Sequence, residues 1–207
     1  MLKLSLLPLA LFTSACVLDS SADPAVTEST DQDLTLGGGV IGGGSPCPTN
    51  TPASLAPADD QELAFSMPAQ GVQRYACVQS TTGFAWVFVA PAADLFDPGI
   101  PFFAVHHFAG PTWLASDSSS VLAAKAAAAT VDTTAIPWLL LNVTSHGGGK
   151  GRMTNINQIQ RLETTGGLAP ATGCDADHVG MQSDVLYTAR YFFYRTSASG
   201  HGLRCGG

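Results

Sequence analysis

Apolar and polar positions along the chain recur with the short period of β-strands, and nowhere in the body is a helical period sustained. Val72 to Gln79 and Gly83 to Ala90 have strand composition, with Phe84, Trp86 and Phe88 interleaving with Ala85, Val87 and Val89. Ser80-Thr-Thr-Gly83 separates the two runs as a turn would, so they form a hairpin. Pro91 to Asp97 reads as one helical turn ended by Pro98-Gly99, and Pro101 to Phe108 resumes as strand. Trp113 opens another short strand. Val121 to Thr130 is ambiguous, since its six alanines favour helix while its length and flanks suit a strand; strand is the reading adopted.

Ile136 to Val143 is apolar on both faces, as in a strand covered on both sides, with Pro137 at its start. His146 to Gly149 is a turn, and Met153 to Leu162 and Leu186 to Arg195 complete the set, separated by a long loop from Thr164 to Asp184. Short strands punctuated by Gly and Pro predict an all-β domain, an antiparallel β-sandwich or barrel with long loops. Eight of the seventeen aromatic residues fall between Phe84 and Trp113, so this part is expected to supply much of the core.

Composition narrows what such a domain can do. With 207 residues, 45% hydrophobic and 12% charged, there is material for one sizeable core. The net charge of -7 and the scattered basic residues argue against nucleic acid as a partner.

The first 15 residues read as a signal peptide: Lys3 is followed by an apolar run from Leu4 to Phe12, and small residues precede Cys16. The run is too short to span a bilayer. Small residues before a cysteine resemble the bacterial lipoprotein signal, with Cys16 as the acylated residue and membrane anchor, although Thr13 stands where Leu is usual. Ordinary cleavage and secretion is the alternative. Residues 16–61 form a tether and lead-in rich in acid, Gly and Pro, with five acidic residues and no basic one between Val17 and Pro46. Such a segment is expected to be disordered, a leash on the order of 30 Å. Gly37 to Gly42 matches the dinucleotide-binding spacing, but lacks the preceding strand and following helix, so no cofactor is expected. The β domain occupies 62–207. With Cys16 set aside, Cys47, Cys77, Cys174 and Cys205 remain, enough for two disulfides in any of three connectivities.

Five motifs then follow in order: HFAGPTW (107–113), IPWLLL (136–141), IQR with TTGG (159–167), APATGCD (169–175) and YTARYFFY (187–194). Together, over about Glu62 to Arg195, they closely resemble the bacterial and fungal domain of unknown function 3455. The resemblance implies export, a β-rich body and no established activity. It also implies that Cys77 pairs with Cys174, leaving Cys47 for Cys205. The chain departs from the pattern at Ser118, where the family usually has the Gly of an Asp-Gly-Ser turn, and carries an additional His106.

Candidate chemistry centres on His107, since imidazole both ligates metals and titrates near neutrality. His106 and His107, adjacent on a strand, face opposite ways, so they do not serve one site. Companions for His107 in a catalytic or metal centre are Asp117, Asp175, Asp177 and His178, set against the plainer reading of a hydrogen-bonded core histidine. Arg161 is also a candidate for a catalytic or substrate-recognition role, set against the plainer expectation that it pairs with Asp117 or Asp175 and fixes a loop. Trp113, with His107, is the candidate ligand contact for a glycan or a small apolar compound. No nucleophile elbow, P-loop or zinc-protease motif is present. The leading expectation is a lipid-anchored protein of the bacterial cell envelope, in the outer membrane or facing the periplasm, otherwise secreted, with a non-catalytic ligand- or partner-binding β domain. The alternatives are an exported metal-dependent enzyme using His107 with Asp117 or His178, and a purely structural envelope protein.

Overall fold

A computed structural model describes residues 47–100, 104–198 and 205. The expected signal peptide, the acylation site at Cys16, the acidic tether as far as Pro46, and Phe102 and Phe103 lie outside the described residues. Within those described, the alternating pattern becomes eight antiparallel strands: β1 (Gln61–Ser80), β2 (Gly83–Phe96), β3 (Ala104–Phe108), β4 (Thr112–Ala115), β5 (Ser120–Ala129), β6 (Trp138–Gly147), β7 (Ile156–Gly166) and β8 (Gln182–Thr196). Each pairs with the next, and β8 returns to β1 to close a barrel. Closure removes the free sheet edge that an open sandwich would leave.

Because side chains alternate across a strand, every second residue points inward. Phe65, Met67 and Ala69 of β1, Leu95 of β2, Val105 of β3, Trp113 of β4, Val121 of β5, Leu141 of β6, Ile159 of β7 and Tyr191 and Phe193 of β8 fill the barrel. Phe65 and Phe193 lie opposite each other across β1 and β8 and stack at 4.6 Å. Gly71 sits among these inward positions because a Cβ there would run into the backbone of Ala92 and Ala93.

A second apolar cluster lies on the other face of the same strands, built from Leu63, Leu140, Leu162, Phe192 and Tyr194 under Leu55 of a short 3-10 turn (Ala53–Leu55). This strap explains why the segments from Ile136 and to Tyr194 are apolar on both faces. It is pinned by the Gln160 side-chain N–H, which donates to the Leu55 carbonyl at 2.6 Å, and by the Tyr194 hydroxyl, which donates to Gln160 Oε1 at 2.6 Å. Cys47 and Cys205 are bonded to each other, and Cys205 packs on the same cluster. The other bridge joins Cys77 of β1 to Cys174 of the β7–β8 loop. Both pairings are those the family resemblance implied.

The hairpin of β1 and β2 forms about its expected turn, and the alanine-rich segment is strand β5. Two expectations are corrected. Pro91 to Asp97 does not turn as a helix, because β2 continues to Phe96. Up to Ala92 that strand pairs with β1 alone, and the β3 ladder begins only at Ala93, so Pro91 occupies an edge where its missing N–H is tolerated. Among the described residues, the aromatic run from Phe84 to Trp113 is also not the chief source of the core. Phe84, Phe88, Phe96 and Phe108 are exposed, whereas β8 buries Tyr187, Tyr191, Phe192, Phe193 and Tyr194.

Candidate functional site

Successive strands reverse direction, so the β1–β2, β3–β4, β5–β6 and β7–β8 connections share one end of the barrel, and the other three share the opposite end. The two ends differ. At the second, Arg152 of the β6–β7 loop acts as a plug: its guanidinium pairs with Asp97 and lies 4.3 Å from the centre of the Phe65 ring. Beside it Asp117 Oδ1 accepts from the backbone N–H of Ser119 at 2.9 Å and from the Ser119 hydroxyl at 2.5 Å, while Oδ2 accepts from the backbone N–H of Arg152 at 2.8 Å. Burial works to raise the Asp117 carboxyl, but these donors outweigh it and hold the pKa below the usual carboxylate range. Ser118 has φ 69°, in the left-handed region where the family's glycine would be unstrained.

The first end is open. There β3 and β4, five and four residues long, stand between β2 and β5, of 14 and 10 residues, so the wall is low at the Ala109-Gly110-Pro111 turn. Gly110 has φ 130°, and a Cβ there would meet Thr112 Oγ1 at 2.6 Å and Leu122 at 2.8 Å. A cavity of about 320 Å³ opens at this low stretch and runs into the barrel. Phe88, Val89 and Pro91 of β2 line one side and Leu139 and Leu141 of β6 the other, with His107, Trp113 and Tyr191 beneath. Val89 has no partner in the β1–β2 register, and such a bulge re-aims the side chains around it. On β5 the inward series Val121, Ala123 continues to Lys125, which reaches the cavity before a second irregularity turns the strand.

His107, 3% exposed, has its ring stacked on Trp113 at 4.2 Å and edge-on to Tyr191 at 5.4 Å. Its Nδ1 lies 3.0 Å from the Thr112 carbonyl oxygen. A carbonyl only accepts, so Nδ1 carries the proton and Nε2 is left with a lone pair. Burial lowers the imidazole pKa to about 4, only partly opposed by the Thr112 bond and assisted by Arg161. His106, one residue away, faces outward and pairs with Asp94 at 2.6 Å.

Arg161 also lines the cavity, its Nη2 donating to the Pro137 carbonyl at 2.8 Å. The expected pairing of Arg161 with Asp117 or Asp175 does not form. Asp117 stands at the plugged end, and Asp175 is engaged within its own loop by His178 Nδ1 at 2.6 Å and by the Asp177 N–H at 3.0 Å. Thus His107, Trp113 and Arg161 converge on one cavity, while Asp117, Asp175 and His178 do not line it. Among the described residues no group of three or more His, Cys, Asp or Glu is placed to hold a metal ion.

Sequence reasoning missed Gln73, Lys125 and Tyr191, which join the site because β1, β5 and β8 bring them to the same mouth. The inward alternation from Val121 to Lys125 was the available signal. Trp113 itself is 1% exposed, with one ring face covered by His107.

These features define a small disulfide-bridged antiparallel barrel, plugged at one end and hollow at the other. The chain matches the family described as Protein of unknown function (DUF3455) over residues 57–101 and 98–195, and it belongs to that family. No curated protein and no solved structure matches it.

Proposed function

We propose that the chain is an exported lipoprotein of the cell envelope whose barrel is a non-catalytic binding domain, taking a small apolar ligand into the open mouth. The observation that carries this reading is the cavity itself, about 320 Å³ with walls of Phe88, Val89, Pro91, Leu139 and Leu141. A concave apolar site of this size with a few polar groups at its base suits a small molecule. A glycan is the poorer fit, because a sugar stacks on an open aromatic face and the Trp113 face is occupied by His107. Two disulfides support an oxidising compartment, and the signal and Cys16 support the anchor.

The binding reading is tested with a neutral apolar fluorophore such as N-phenylnaphthylamine. Saturable binding to the purified protein, abolished by Ala109→Trp at the rim, is expected; no saturable signal, or one indifferent to that substitution, overturns it. The anchor is tested separately by fractionating cells that express Cys16→Ser. Release of the chain from membranes is expected, and retention overturns the anchor.

A further inference from the structure

Five buried side-chain polar atoms among the described residues have no hydrogen-bond partner, and their distribution is uneven. The two oxygens, of Thr51 and Gln61, belong to residues that do not line the mouth. All three nitrogens, Gln73 Nε2, Trp113 Nε1 and Arg161 Nε, belong to side chains that do, although the Gln73 side chain also interacts with the Tyr187 hydroxyl and that of Arg161 with the Tyr191 hydroxyl, which leaves Trp113 Nε1 as the plainest case. A buried donor left without an acceptor is costly, so a native fold normally supplies a partner. Here the missing partners are all acceptors.

Charge points the same way. Arg161 and Lys125 line the cavity, no Asp or Glu does, and neither cation takes part in an ion pair among the described residues. In a chain of net charge -7, two cations without carboxylate neighbours at one apolar mouth form a local reversal of sign. Arg161 has fork geometry suited to a carboxylate, and with one bond to the Pro137 carbonyl and one shared with the Tyr191 hydroxyl it still has further N–H groups of its five to donate.

We infer that the ligand is an apolar monocarboxylate, its head received by Arg161 with the Gln73 and Trp113 N–H groups and its body lying against Phe88, Val89, Leu139 and Leu141. Lys125, nearer the solvent, steers the anion inward. The inference rests on the apolar-ligand reading above and adds the head group. Its site needs no metal and no covalent step.

The test compares head groups on the same apolar body by isothermal titration calorimetry of the purified protein: octanoate against octanol, and phenylpropanoate against phenylpropanol. At least one acid of the two pairs is expected to bind about tenfold or more tightly than its alcohol, the worth of one charge-assisted contact. Arg161→Gln is expected to remove that preference, bringing acid and alcohol affinities to within about twofold of one another. Should that variant fail to fold, the wild-type head-group comparison decides alone, with Lys125→Ala lowering acid affinity at low salt as its companion. Equal affinities, or a preference for the alcohols, overturn the carboxylate while leaving the apolar-ligand reading intact. Failure of all four probes, together with failure of the neutral fluorophore, overturns both.

Discussion

His107 is held neutral by its surroundings: Trp113 and Tyr191 pack on its ring and the Thr112 carbonyl accepts a hydrogen bond from its one N–H. Its folded pKa of about 4 lies below the ordinary 6.5, so between those values the unfolded chain binds a proton that the native chain does not. Stability is therefore full above pH 6.5 and declines as the pH falls towards 4, by about 3 kcal/mol if this group acted alone. Urea denaturation at a series of pH values is expected to show that decline, and His107→Gln to flatten it within the same window. An unchanged slope in the variant would assign the acid sensitivity to other groups. Ser118 gives a second residue-scale prediction. A non-glycine residue in the left-handed region costs about 1–2 kcal/mol, part of which glycine returns as unfolded-chain entropy. Ser118→Gly is thus expected to raise the unfolding free energy by no more than about 1 kcal/mol, seen as a higher urea midpoint with the slope unchanged.

At the scale of elements, the strap and the strands it covers depend on one another. Leu55 is fully buried against Leu140, Leu162 and Phe192, so Leu55→Ala is expected to cost about 2–5 kcal/mol, read from the same denaturation midpoint. A cost below 1 kcal/mol would mean that the strap only rests on the barrel. Period-two alternation made the first hairpin and the all-β class legible, and the doubly apolar run from Ile136 announced a strand covered on both faces. What covers it was not legible, because Leu55 lies in a Pro- and Ala-rich lead-in with no periodicity of its own. The helical turn expected at Pro91 failed for a tertiary reason: the short β3–β4 hairpin leaves that part of β2 with one neighbour, and a proline that would break a central strand is harmless there. The core was misplaced for a related reason. Aromatic content marks strands but not which of their faces is inward, and in β2 the bulge at Val89 changes the face partway along. Of the site, His107, Trp113 and Arg161 were picked out individually. Their separation from Asp117 follows only from counting strand reversals, which requires the barrel.

For the molecule as a whole, the two disulfides close very different loops and should fail differently. The Cys77–Cys174 bridge, of sequence separation 97, fastens the β7–β8 loop to the first hairpin, where the Trp86 indole N–H also donates to the Thr172 carbonyl at 2.8 Å and the Tyr75 hydroxyl to Gly167 at 2.6 Å. The chain-entropy account credits such a loop with about 4–5 kcal/mol. The Cys47–Cys205 bridge, of separation 158, holds the strap and the C-terminal segment rather than the strands that form the cavity. Its longer loop carries a slightly larger entropic credit, yet its removal leaves the closed hydrogen-bonded ring of strands in place. Paired Cys→Ser substitutions are therefore expected to separate two properties that global stability confounds. Without Cys47–Cys205, the outer face bearing Leu140 and Phe192 should become open to protease at the strap while apolar-probe binding at the mouth survives. Without Cys77–Cys174, the loop and hairpin beside the mouth loosen, and probe affinity should fall along with stability. Limited proteolysis and fluorophore titration on the two variants give the readout. If both lose the cavity together, the barrel does not hold its mouth open independently of the strap, and the division of the molecule into a hollow end and a strapped wall is wrong.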